Sequence, residues 1–216
     1  MIRIFVVDDH TLVRQGISSL LESTEGMTIV GEASTGMEAV AKCRSCMPDV
    51  VIMDSAMPDM NGAQATERIL EECPSARVLG VSMHAEPCFV ERMLAAGAAG
   101  YVLKSSPLSD LQAAVLAVSA GHSFLSPAVT DTVLKQYMRQ SGKPQEAVSL
   151  SLSLRDREVL QLVAEGKTSK DIAEMLSLSV RTVEKYRLQI MKRLELESTA
   201  ALIKYAIKEG FSSLDF

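Results

Sequence analysis

The sequence predicts an α/β domain, a doubly wound parallel sheet of five strands, followed by a small all-α domain. Three observations carry that prediction. Strand-like and helix-like patterns alternate five times between residues 2 and 120. The strand-like runs are apolar throughout, as strands covered on both faces must be. Beyond residue 150 the strand signal stops, and short amphipathic stretches follow, each preceded by a Ser or Thr.

Taken in order, the strands are expected near 2–7, 28–33, 50–53, 77–82 and 100–103, with helices near 11–22, 36–46, 62–72, 87–97 and 107–120. Such alternation implies βαβ units with helices on both faces of the sheet. Gly97 and Gly100 flank the entry to the last strand as helix stop and tight turn, and Pro107 after Ser105-Ser106 opens the next helix. A further helix is expected over 127–140. Residues 141–149, SGKPQEAVS, have no periodicity and read as linker. The expected division is therefore 1–122, a linker 123–150 that includes the helix, and 151–216. In the last part Ser153 and Asp156 form a capping box with Asp in place of the usual Glu. Thr168, Ser179 and Ser198 are N-caps. The helices they open are expected near 154–165, 169–176, 180–194 and 199–209.

Chemistry concentrates at two strand ends. The run Val50 to Met53 is too short for a helix and delivers Asp54, followed at once by a Pro-, Asn- and Gly-rich turn. The run Ile2 to Val7 delivers Asp8, Asp9 and His10. Ligands of open parallel sheets bind at the carboxyl ends of the strands, so Asp8, Asp9 and Asp54 are expected to share a pocket. Three ionised carboxylates there repel and call for a cation.

Composition bounds the rest. Of 216 residues, 47% are hydrophobic and none is tryptophan, and the formal net charge is −5. No apolar run reaches the roughly 18 residues of a membrane span, and the N-terminus lacks the order of a signal peptide. A cytoplasmic protein is expected, with no membrane partner. Residues 1–150 carry 11 Lys and Arg against 17 Asp and Glu, and residues 151–216 carry 11 against 10. A nucleic-acid surface must therefore come from local clustering of cations. Cys43 and Cys46 form a C-x-x-C, but zinc needs four ligands and no second such pair exists. Reduced, unligated thiols are expected.

The first part resembles the receiver domain of two-component response regulators, a flavodoxin-like fold, at Asp8, Asp9, Asp54, Pro58, Gly62, Ser82, Tyr101, Lys104 and Pro107. The second resembles the LuxR-type helix-turn-helix of the NarL/FixJ family. There the matching residues are Leu152 to Leu160, Gly166, Ile172-Ala173, Leu176, Ser179, Thr182-Val183, Ile190 and Leu194. The resemblance implies a phosphorylation-controlled, DNA-binding transcription regulator. Asp54 would accept a phosphoryl group from a sensor histidine kinase. Mg²⁺ would be held by Asp8, Asp9, Asp54 and the carbonyl of Ala56. Lys104 and Ser82 would bind the phosphoryl oxygens, with Tyr101 either a plain strand aromatic or a rotamer switch coupled to Ser82. His10 would orient a loop. Catalysis would be confined to Mg²⁺-dependent self-phosphorylation and autodephosphorylation, and the active form would be a homodimer. Two alternatives remain: a receiver whose helical output binds protein, and a Mg²⁺-dependent phosphatase. The latter wants a second catalytic Asp where Ala56 stands.

Periodicity orients the helix expected over 180–194, the recognition helix that the resemblance implies. Val183, Tyr186, Ile190 and Leu194 share one face and should be buried. Arg181, Lys185, Leu188 and Lys192 share the opposite face, which together with Thr182 is expected to meet promoter DNA in the major groove. Glu184 departs from the family's common Lys, Tyr186 from its His, and Ser82 from the commoner Thr. The last helix sets Ala200, Ile203, Ala206 and Ile207 on one stripe. Leu202 and Tyr205 flank it as extra apolar positions, expected to form a pairing surface rather than core.

Overall fold

The computed structural model describes residues 1–140 and 152–212, and the chain divides into two compact units, 1–143 and 144–216. In the first unit β1 (Ile2–Val7), α1 (Thr11–Glu22), β2 (Met27–Ala33), α2 (Gly36–Cys46) and β3 (Val50–Asp54) come first. They are followed by α3 (Gly62–Glu72), β4 (Arg77–Ser82), α4 (Pro87–Ala95), β5 (Gly100–Leu103), α5 (Leu108–Ser119), β6 (Phe124–Leu125) and α6 (Pro127–Gln140). Every neighbouring pair of strands is parallel, in the order β2-β1-β3-β4-β5-β6.

The uniform apolarity of the strands has a direct structural cause. Ile4, Val6, Ile52, Leu79, Val81 and Val102 pack with Leu21 of α1 and with Leu111, Val115 and Val118 of α5. Their neighbours Phe5, Val7, Val51, Met53, Val78 and Tyr101 pack on the other face with Ala39, Ile69, Val90 and Met93. Successive strand residues point to opposite faces, and both faces are covered. Each fully buried aliphatic or aromatic side chain contributes about 1.5–3 kcal/mol. The chain leaves β1 toward β2 and then crosses back to β3 on the other side. The loops after β1 and β3 therefore diverge and open a crevice at their carboxyl ends.

The sheet has six strands, not the five expected. Phe124 pairs with Gly100 and Leu125 with Tyr101, so residues 124–125 extend the sheet instead of starting a linker. Two half-buried residues offer too short a pattern to register as a strand. The helix expected over 127–140 exists, and it packs on α4 and β5. Its Val129 is fully buried in the cluster that holds Val90, Met93 and Tyr101. The rest of the expected linker, 141–150, and the expected domain start at 151 lie outside the described residues.

The second unit contains α7 (Leu154–Ala164), α8 (Ser169–Met175), α9 (Val180–Arg193) and α10 (Thr199–Lys208). The caps fall where expected. Ser153 accepts from the Asp156 amide and Thr168 from the Asp171 amide, each closing a capping box. Ser179 accepts from Thr182 and Ser198 from Ala201. Each cap stabilises its helix by about 1 kcal/mol. Left-handed residues at Ser177 (φ 52°) and Glu195 (φ 54°) terminate α8 and α9 and set the turns that follow. The core joins Leu152, Val159, Leu162, Ile172, Val183, Ile190, Leu202 and Phe211.

Candidate functional site

β1 and β3 lie side by side, so the residues at their carboxyl ends meet. Asp8 and Asp54 are buried, at 2% and 3% exposure, and the Lys104 ammonium at the end of β5 bridges them. Its Nζ lies 2.8 Å from Asp8 Oδ2 and 2.7 Å from Asp54 Oδ2. Asp9 stands beside them, and ligand atoms of Asp8, Asp9, His10 and Asp54 all fall within 4.8 Å of one another. One ammonium faces three carboxylates. Burial and the neighbouring Asp8 push the Asp54 carboxyl up to about 6, against the opposing pull of Lys104. Burial pulls Lys104 down, but Asp54 and Asp8 outweigh it and leave the ammonium above its ordinary value.

Asp9 Oδ1 is buried and accepts no hydrogen bond. His10 Nδ1 lies 2.9 Å from it, an ion pair only when the imidazole is protonated. An orphaned carboxylate oxygen within a cluster of excess negative charge fits a hard divalent cation. His10 is largely exposed, and its backbone amide donates to Asp8 Oδ1 at 2.8 Å, which ties down the loop after β1. Arg14 does the same from α1, donating to the Asp8 carbonyl at 2.6 Å and to Glu32 at 3.2 Å. Ala56 donates its amide to Asp54 Oδ1 at 3.3 Å. Gly62, the first residue of α3, packs directly on β3, and any Cβ there would overlap the Asp54 carbonyl oxygen.

A hydrogen-bonded route leaves the pocket through β4. Ser82, fully buried, accepts from Ser55 Oγ at 2.5 Å and from the His84 amide at 3.0 Å. The His84 carbonyl accepts from the Tyr101 hydroxyl at 2.8 Å. One peptide segment thus links Ser82 to Tyr101. Tyr101 is fully buried, and burial pushes its phenol up to about 12. The His84 ring stacks on Phe89 of α4, centroids 4.3 Å apart. The Tyr101 carbonyl accepts from Ser126 at the start of α6, at 3.0 Å.

In the second unit, α9 follows the turn after α8 and divides as its periodicity requires. Val183 and Ile190 are buried, and Tyr186 and Leu194 pack against them. Ser179, Arg181, Thr182, Glu184, Lys185, Leu188, Gln189 and Lys192 line one open surface, which gathers every expected contact residue. Leu188 on this surface is an apolar group left 64% exposed. Arg187 anchors the helix from the side, donating to Ser169 at 2.9 Å and to Thr199 at 3.3 Å.

One expectation fails here. Leu202 is fully buried in the core, together with Ala206, because α10 lies on α7. Ala200, placed on the inner stripe by its spacing, is exposed. The inner face is centred on Leu202 and Ala206, a rotation of the stripe that four nearby apolar residues left ambiguous. Sequence reasoning also missed Ser55 and Arg187. Their roles come from contacts across the chain that no local pattern marks.

The comparisons with known proteins divide the chain in the same way. A family described as response regulator receiver domain matches residues 4–116, and one described as bacterial regulatory proteins, luxR family, matches residues 150–206. The oxygen regulatory protein NreC of Staphylococcus carnosus is 37% identical over 220 residues, covering 99% of this chain and 100% of its own. The response regulator GacA of Pseudomonas aeruginosa is 36% identical, covering 97% of each. A LuxR-family two-component response regulator from Aurantimonas sp. SI85-9A1 is similar in structure, with a TM-score of 0.62 at 36% identity. It covers 64% of this chain and 99% of its own. RcsB of Salmonella enterica serovar Typhimurium, bound to the promoter rprA with the phosphomimetic BeF3−, gives a TM-score of 0.59 at 27% identity. It covers 95% and 98%.

Proposed function

The chain belongs to the response regulators that join a receiver domain to a LuxR-type DNA-binding domain, and on that premise we propose that Asp54 is its phosphoacceptor and that α9 reads promoter DNA. It is a DNA-binding transcription regulator. The observation that carries the residue assignment is the Lys104 ammonium spanning Asp8 and Asp54 beside a buried Asp9 oxygen that accepts no hydrogen bond.

Asp8, Asp9 and Asp54, with the Ala56 carbonyl, would hold Mg²⁺, which when bound supplies neutralisation of the carboxylates and of the incoming phosphoryl oxygens. An Asp54 oxygen attacks phosphorus, the bond from phosphorus to the donor breaks, and an aspartyl phosphate forms. The donor is a phosphohistidine of a sensor kinase, or a small acyl phosphate in self-phosphorylation. Lys104 transfers its contact from carboxylate to phosphoryl oxygen. The Ser82 hydroxyl, which accepts two hydrogen bonds, keeps its own proton for another oxygen. Such transfer is mostly positioning and charge neutralisation. Turning Ser82 toward the phosphoryl group pulls on the His84 amide, whose carbonyl holds Tyr101. This is the switch reading of Tyr101, and it biases a two-state element. In autodephosphorylation water attacks the same phosphorus, its bond to the Asp54 oxygen breaks, and inorganic phosphate leaves the regenerated carboxylate.

In the second domain, assigned to 151–216, Arg181, Thr182, Lys185, Leu188 and Lys192 meet the major groove. A homodimer engages two half-sites. No helix among the described residues is long and apolar enough to cross a membrane, and the cytoplasm is the proposed location. The acceptor is tested with acetyl phosphate and Mg²⁺: intact-mass measurement should show one acid-labile phosphate on the wild type and none on Asp54→Asn. Equal labelling of both would overturn the assignment. A protein-binding helical output is the second reading, and the cationic surface of α9 speaks against it.

A further inference from the structure

The surface of α9 carries one carboxylate among its cations. Glu184 sits between Arg181 and Lys185 in the second turn and lines the same surface as Leu188 and Lys192. It is exposed. Among the described residues its carboxylate makes neither a hydrogen bond nor an ion pair, although cations are close in sequence. At i±4 stand Val180 and Leu188, and at i±3 Arg181 and Arg187. Arg187 is turned to Ser169 and Thr199 instead, and among the described residues neither arginine pairs with Glu184. A fixed negative charge on this surface is costly beside phosphates, which repel it, unless it meets a donor.

The donor in a major groove that suits a carboxylate is the exocyclic amino group of cytosine, whereas guanine offers only acceptors there. The first half of a recognition helix is the part that reaches base edges, and Glu184 is in it. Resting on the DNA-binding reading above, we infer that Glu184 is a specificity-determining residue. It accepts a hydrogen bond from a cytosine N4 amino group in the cognate half-site and rejects sequences that present only acceptors at that position. Lys185 and Lys192 hold the backbone or guanine, and Glu184 supplies selection by repulsion as well as attraction.

The test is selection of a randomised duplex library by the full-length protein, followed by titration of the enriched duplex and its single-base variants. Wild type should enrich a motif with a fixed cytosine. For Glu184→Ala, discrimination at that one position should fall by about fivefold to tenfold. Binding to unrelated duplexes should tighten, because the repulsion is gone. Glu184→Gln should move the preference at that position toward adenine, which suits a side-chain amide. An unchanged motif in both variants, or a uniform gain in affinity on every duplex, overturns the inference and leaves the DNA-binding reading intact. Failure of the wild type to enrich any motif overturns that reading, and the inference with it.

Discussion

At the scale of the residue, the pocket is under electrostatic load. Asp54 has a carboxyl raised from 3.8 to about 6 by burial and by Asp8. An acid whose folded value is raised binds its proton more tightly in the native state. Between 3.8 and about 6 the unfolded chain therefore holds fewer protons, and stability falls as pH rises through that window. The load at pH 7 is on the order of 3 kcal/mol in the cation-free protein. Thermal unfolding with chelator should show Asp54→Asn gaining stability relative to wild type as pH rises from 4 to 7. A constant difference between the two would contradict the origin assigned to the load. Mg²⁺ should relieve it, so added Mg²⁺ should raise the wild-type melting temperature at pH 7.5 far more than at pH 5. Asp9→Ala should lose most of that increment while keeping the fold, since Asp9 Oδ1 has no hydrogen bond to lose. Equal Mg²⁺ affinity in mutant and wild type by calorimetric titration would remove Asp9 from the site.

At the scale of the element, what the sequence made legible and what it hid differ by range. The strands β1 and β3 were legible because two covered faces force continuous apolar runs ending in Asp8 and Asp54. The N-caps at Ser153, Thr168, Ser179 and Ser198 were legible because capping is decided within four residues. Asp8, Asp9 and Asp54 could be placed together because strand ends converge by topology, whereas Ser82 and Lys104 came from the family resemblance. β6 was not legible, since its two residues owe their strand geometry to β5 alone. Nor was the tilt of α10, where Leu202 rather than Ala200 turned inward because packing against α7, not spacing, selects among adjacent apolar residues. Leu202→Ala should cost about 2–5 kcal/mol, read as a lower denaturant midpoint for the second domain. A neutral result would restore Leu202 to the surface. The contact of α6 with β5 also has a consequence. The Ser126 amide is bonded to the Tyr101 carbonyl, so a phosphomimetic that reorients Tyr101 should change hydrogen exchange at Ser126 and along the first turn of α6. Unchanged exchange there would confine the switch to β4 and β5.

At the scale of the whole molecule, the chain joins two chemistries of opposite charge demand. The acidic cluster of the first unit fits a cation, and the surface of α9 in the second carries Arg181, Lys185 and Lys192, the face proposed to meet a polyanion. The net charge of −5 gives little nonspecific attraction to DNA, so on the proposed reading binding rests on this local cluster. Each phosphate contact it makes should add about one to the slope of affinity against salt. Lys185→Ala should reduce that slope by about one if Lys185 meets phosphate, or cost about 1–3 kcal/mol on the cognate duplex alone if it meets a base. Unchanged slope and affinity would remove Lys185 from the interface. The claim that unites the two units is that phosphorylation of Asp54 governs DNA binding. Its direct measurement is a fluorescence anisotropy titration of the full-length protein on its selected duplex at fixed salt. Wild type and Asp54→Asn are each compared before and after treatment with acetyl phosphate and Mg²⁺. The account predicts that treatment changes the wild-type affinity, and changes it more on two half-sites than on one, while Asp54→Asn does not respond. Identical wild-type curves with and without phosphorylation, or an equal response in Asp54→Asn, would contradict it.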